Sequence, residues 1–215
     1  LFSLVFNDSS PSSFAESPSP KTLQQIPGWL NLCATYGFFA ISGSLAMTFT
    51  VALLEEDAGY GADSASLIYS LIGVGMVAGG FLMGWLTDQI GRNSSQLLSL
   101  AAMAVSCVMI ATGHTLGATV ATMVFGVAFT GVVTAVTAKV SHHLDAEAFG
   151  AAYAVVTIVF GAGLAIGPQL GGVIADSSGS FRPALLLAAS CATLGLALTV
   201  ADRVREKRDL LGRHP

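Results

Sequence analysis

Between residues 84 and 95 the chain reads GWLTDQIGRNSS: Gly84, a carboxylate at Asp88, a second glycine at Gly91 and a guanidinium at Arg92, set between runs that are almost wholly apolar. A carboxylate at a helix end can accept from the exposed N–H groups of a neighbouring helix N-terminus. Gly91 permits a tight turn, and Arg92 can pair with a carboxylate or stay among lipid headgroups. Other polar groups recur at helical spacing, as Gly126, Thr130, Thr134 and Thr137, as Tyr153, Thr157, Gly161 and Leu164, and as Tyr36, Ser44 and Thr48. Hydroxyls in apolar helices bond back to their own backbone or join helices. Cys33, Cys107 and Cys191 are odd in number and lie within apolar runs, so they read as packing residues rather than a disulfide or metal set. Ser42-Gly43 also lies within such a run, but an intramembrane serine protease needs a glycine where Ala40 stands and a histidine base, and His114, His142 and His143 all fall between the runs.

The elements that position these groups follow from composition. Only 10% of the 215 residues are charged and mean hydropathy is +0.71, against about 25% charged residues in soluble domains. Stretches of bilayer-spanning length, about 17–25 residues, recur six times, at roughly 29–54, 67–86, 95–113, 119–140, 148–175 and 183–201. No Asp, Glu, Lys or Arg lies inside them except Lys139, in the last turn of the fourth. Backbone groups in lipid must be satisfied internally, and the runs are too long and uniform for barrel strands, so an all-α transmembrane bundle over 29–201 is expected. Short connections make it one compact unit. Gly75 and Gly79, and equally Gly80 and Gly84, form small faces for close helix packing. Pro168, after Gly167, removes a hydrogen bond from the fifth span and is expected to bend it.

Residues 7–28 are rich in Ser and Pro and read as a flexible linker. The apolar LFSLVF ahead of them is too short for a signal peptide and reads as the end of a preceding span in a longer chain. Lys21, Arg92, Lys139, Arg203, Arg205, Lys207, Arg208 and Arg213 fall on one side of a six-span topology and Arg182 alone on the other, which places the first side, the loop at Asp88 and the basic tail 202–215 in the cytoplasm. The acidic stretch Glu55, Glu56, Asp57 and Asp63 on the opposite side reads as solvated loop. A net charge of −4 carries no sign of nucleic-acid binding.

Gly84, Asp88 and Gly91-Arg92, placed between the second and third of six spans, resemble the G-x-x-x-D-x-x-G-R loop of the major facilitator superfamily. Residues 146–176, AEAFGAAYAVVTIVFGAGLAIGPQLGGVIAD, resemble that family's helix before the last. Gln89 and Asn93 depart from the pattern, standing where basic residues are common, so the loop carries fewer charges. The resemblance implies the C-terminal six-helix half of a twelve-helix secondary transporter, moving a small solute by alternating access about a midplane site. Very short loops favour a prokaryotic protein in the inner membrane.

What the resemblance implies for individual residues is specific. Gly84, Asp88, Gly91 and Arg92 would latch this half to an N-terminal six-helix half on the cytoplasmic side. The first, second, fourth and fifth spans would line the central cavity, which makes Tyr36, Ser44, Thr130, Thr134, Tyr153 and Thr157 its candidate lining, with the Gly167-Pro168 bend nearby. Proton coupling needs an ionisable group inside the membrane, and the spans offer none beyond Lys139, so coupling residues are expected in the other half. No metal site, cofactor or enzymatic activity is implied. The partners are a small-molecule solute, the bilayer and the N-terminal half; a non-transporting scaffold or sensor on the same fold is the alternative.

Overall fold

The computed structural model describes residues 24–211; the apolar segment at the start of the chain, most of the Ser/Pro-rich linker and the last four residues lie outside them. Among the described residues six long helices follow one another: α1 (Trp29–Ala52), α2 (Ala62–Ile90), α3 (Arg92–Ala111), α4 (Thr115–His143), α5 (Ala146–Ser178) and α6 (Arg182–Leu211). A π-helical turn, Leu53–Asp57, ends α1. All six are long and apolar enough to cross a membrane.

The helices α2, α4 and α6 outrun their apolar stretches by a turn or more at one end or both. At 1.5 Å per residue the 29 residues of α2 extend about 43 Å, whereas the hydrocarbon layer is about 30 Å thick. The surplus carries polar groups such as Asp63, Asp88, His142 and Arg203. The sixth helix continues to Leu211, so the first ten residues of the basic tail extend α6. Connections are short, the shortest being Gly91 alone, whose φ of 82° is open to glycine at little cost. The helix α5 passes through Pro168 without interruption.

Packing repeats after three helices. In the first triad α1 lies against α5 and α6; in the second, α4 lies against α2 and α3. The outer helices α3 and α6 join the two, while α2–α3 and α5–α6 touch far less. Without a hydrophobic driving force between helices in lipid, close approach must come from small residues, and both triads use glycine. A Cβ at Gly75 or Gly126 would collide with backbone of the facing helix, at the carbonyls of Met123 and Ile72 respectively, and one at Gly79 would lie 2.8 Å from Val127 Cα. On the other side, a Cβ at Gly163 would stand 2.7 Å from Ala40 Cβ, and one at Gly167 would strike the Ser44 hydroxyl. Phe39, Leu45, Leu100, Met103, Phe125 and Leu185 fill the centre and are fully enclosed.

The two glycine pairs of α2 therefore part company. Gly75 and Gly79 are used inside the bundle, whereas a Cβ at Gly73, Gly80 or Gly84 would meet nothing within 4 Å. Val77, Phe81 and Trp85, on the same outward side, are also exposed. Of the six helices, α2 and α5 are the least enclosed.

Candidate functional site

The turn between α2 and α3 is built from its hydroxyls. Thr87 Oγ1 lies 2.6 Å from the Met83 carbonyl and 2.8 Å from Ser95 Oγ, both within hydrogen-bond range, which staples the last turn of α2 to the first of α3 across the glycine. The backbone completes it: Gly91 N–H donates to the Thr87 carbonyl and Ser95 N–H to the Gly91 carbonyl, each at 3.0 Å. Among the described residues Arg92 does not meet a carboxylate. Its Nη1 donates to the carbonyl of Ala138 near the end of α4, at 3.4 Å, where the carbonyls of a helix C-terminus favour a cation. Asp88, one residue beyond Thr87, is exposed and has no partner among the described residues. With Gly80 and Gly84 at i−8 and i−4, it lies on the open face of α2.

The candidate lining residues are distributed over α1, α4 and α5. Thr130 Oγ1 donates toward two carbonyls, Met76 of α2 at 3.2 Å and Gly126 at 3.1 Å, and so bridges two helices. Thr134 donates to Thr130 at 2.9 Å, Thr157 to Tyr153 at 2.8 Å, and Ser44 to Ile41 at 3.1 Å, each to a backbone carbonyl of its own helix. Their hydroxyl hydrogens are thus engaged, and the threonines can offer a solute only oxygen lone pairs. Tyr153 differs, because its phenol lies 3.1 Å from Thr137 Oγ1, joining α5 to α4, and its ring stacks on Phe149. Tyr36 is buried, stacked on Phe39 and Phe160 with centroids 5.4 and 4.9 Å away. Tyr153, Thr157 and Phe160 retain surface on α5, whereas Tyr36 and Ser44 are enclosed by the α1–α5 crossing.

Three polar devices are not evident from the sequence. The acidic stretch after α1 is not simply solvated: Asp57 Oδ2 accepts from Ser180 Oγ at 2.7 Å, Phe181 N–H at 2.7 Å and Arg182 N–H at 3.1 Å, capping the start of α6. Nearby, the Tyr60 hydroxyl lies 3.1 Å from the Gly113 carbonyl and 2.7 Å from Thr115 Oγ1, tying the α1–α2 connection to the α3–α4 turn. At the opposite end Lys139 is paired with Asp202 at 2.6 Å, both side chains nearly enclosed. The only signals were a lysine inside the last turn of an apolar run and an aspartate directly after the final one. Ser42 is fully buried, so it presents no accessible nucleophile. No group of three or more His, Cys, Asp or Glu among the described residues could hold a metal ion.

Six membrane-crossing helices in two repeating triads, with a Gly-Asp-Gly-Arg turn after the second, are half of the twelve-helix fold of a major facilitator superfamily transporter, and the chain is an integral membrane protein. The crystal structure of the E. coli fucose:proton symporter FucP (N162A) superposes with a TM-score of 0.70 at 15% identity, covering 88% of this chain and 47% of that one. The efflux pump azaK of Aspergillus niger is 28% identical over 156 residues, which is 71% of this chain and 32% of that protein. The chain thus spans about a third of the curated relative and about half of the solved one. It belongs to the family described as "Uncharacterised MFS-type transporter YbfB", matched over residues 1–200, a family of transporters rather than enzymes.

Proposed function

We propose that residues 29–201 form the C-terminal half of a secondary transporter that moves a small, weakly polar solute by alternating access, against an N-terminal six-helix half preceding it, in a bacterial inner membrane with both ends of this segment cytoplasmic. The observation that carries the reading is the open face of α2. Arg92, Asp57, Lys139 and Asp202 find partners inside the bundle, whereas Gly80, Gly84 and Asp88 on one face find none among the described residues. Small residues that admit a close helix, ending in a carboxylate suited to a helix N-terminus, fit a second bundle closing over this face. Tyr153, Thr157, Thr130 and Thr134 would then face the space between the halves, with Tyr36 and Ser44 behind them. No charged side chain stands among these residues, which favours a solute without a net charge to be neutralised.

The test needs no knowledge of the solute. A Thr157→Cys substitution in a full-length background freed of other cysteines should react with a membrane-impermeant maleimide from either side of oriented vesicles. Alternating access requires both reactivities. Asp88→Asn keeps the shape of the cap but removes its charge, an interaction of about 0.3–2 kcal/mol, and should shift the balance toward labelling from the side that bears Asp88. Labelling from one side only, unmoved by Asp88→Asn, would identify a static scaffold and end the transport reading.

A further inference from the structure

The end of the bundle that carries Arg92 holds a second polar cluster, separate from the α2–α3 turn. Lys139 Nζ donates to Asp202 Oδ2 at 2.6 Å, and the two side chains retain 6% and 9% of their exposure. Asn31, Thr35, Gln96 and Thr199, from α1, α3 and α6, close round the pair and leave no water-sized space. Asn31 Nδ2 reaches the other carboxylate oxygen at 3.5 Å. Gly28, with φ of 72°, lies so close that a Cβ there would collide with the Asp202 carboxylate, and Ile26, two residues earlier, is fully buried.

Three stretches of chain therefore meet on Asp202: the approach to α1, the end of α4 and the last third of α6. Otherwise α4 and α6 hardly touch. The charges are also placed to suit the helices they join. Lys139 stands near the C-terminus of α4, where a cation is favoured, and Asp202 stands at the N-terminus of α1, where an anion is favoured. Removing either partner leaves a buried charge without compensation, so the pair holds all three stretches or none.

We propose that Lys139 and Asp202 form a clasp that fixes the course of residues 24–28 across the end of the bundle and holds the start of α1 against the end of α4. α1 and α4 are the central helices of the two triads, so the clasp sets their spacing at the end where the preceding chain arrives. Movement of that chain is passed to both triads together instead of peeling α1 away. This goes beyond the transport reading, and its test does not depend on it.

Ile26→Cys is introduced into the full-length protein, in mild detergent and with other cysteines replaced, and its reaction rate with a charged, water-soluble maleimide is measured. A parallel Leu54→Cys reports on the far end, where Leu54 is likewise fully buried. Lys139→Met and Asp202→Asn should each speed labelling at position 26 by about ten-fold or more, leaving position 54 protected. Continued protection at position 26 in both charge-removing variants overturns the clasp. So does loss of protection at both positions together, which would make the pair a general support of the bundle.

Discussion

The cap that Asp57 places on α6 makes a quantitative prediction. A single oxygen, Oδ2, accepts from Ser180 Oγ and from two backbone N–H groups, Phe181 and Arg182, at 2.7 to 3.1 Å. Hydrogen bonds to a charged acceptor contribute about 1.5–3 kcal/mol, and replacing a helix-capping side chain by alanine costs about 0.5–2 kcal/mol. Asp57 is only half-buried, so solvent screening brings the value for Asp57→Ala to about 1.5–2 kcal/mol. Asp57→Asn keeps an acceptor oxygen and loses only the charge, about 0.5–1 kcal/mol. For a bundle of this size the alanine variant should melt about 3–8 °C lower and the asparagine variant about 1–4 °C lower. Unfolding can be followed with a thiol-reactive fluorophore, since Cys107 is fully buried until the helices separate. Glu56, the exposed neighbour, supplies the control through Glu56→Ala. If Asp57→Ala melts within about 1 °C of Glu56→Ala, the cap contributes nothing and the reasoning fails.

The same geometry carries further expectations. Gly126→Ala puts a Cβ against the Ile72 carbonyl and should sharply reduce the yield of monodisperse protein on size exclusion, whereas Gly84→Ala, with open space around it, should fold as the parent does. Thr130→Val removes the hydroxyl that reaches the Met76 carbonyl across to α2 and should lower the melting temperature in proportion to about 0.6 kcal/mol, and at most about 1.7 kcal/mol, as for interhelical hydrogen bonds in membranes; an unchanged melting temperature would show that this hydroxyl does not hold α2 to α4. For orientation, Glu56→Cys is a better reporter than Asp57 would be, because Asp57 is engaged. In intact cells it should react with an impermeant maleimide and Gln89→Cys should not, and the reverse pattern would invert the topology.

How far the sequence reaches is decided by the range of the interaction. The membrane class and the six helices were legible because an uncharged run of bilayer length has one stable backbone solution, although the helices outlast those runs where the headgroup region still favours hydrogen-bonded backbone. The turn at Gly91 was legible because the need for positive φ is local. The two glycine pairs of α2 were not separable, since Gly75/Gly79 and Gly80/Gly84 look alike until α4 is in place. Asp57 looks like solvent-exposed charge in the sequence because its partners lie more than 120 residues away, at Ser180, Phe181 and Arg182. Lys139 drew notice only as a lysine near the end of a span. Its carboxylate, 63 residues on, falls where the apolar pattern had already stopped.

The fastenings themselves follow the repeat of the helices. Asp57 at the end of α1 holds the start of α6, and the carbonyl of Ala138 near the end of α4 holds Arg92 at the start of α3. In each triad the central helix thus secures the outer one by its terminus, at opposite ends of the bundle. The third helix of each triad, α5 or α2, is held by glycine contacts and by single hydroxyl bonds such as Thr137 to Tyr153 and Thr130 to the Met76 carbonyl, and among the described residues its central helix does not fasten it by a terminus. These two are also the least enclosed. Since lipid supplies no hydrophobic force to press them inward, an α2 or α5 that moves slightly against its central helix loses dispersion contacts at the glycines but no buried ion pair or cap. The sequence has therefore put its strong polar bonds between central and outer helices and left α2 and α5 the easiest to adjust, on the faces where Asp88 and Thr157 stand open.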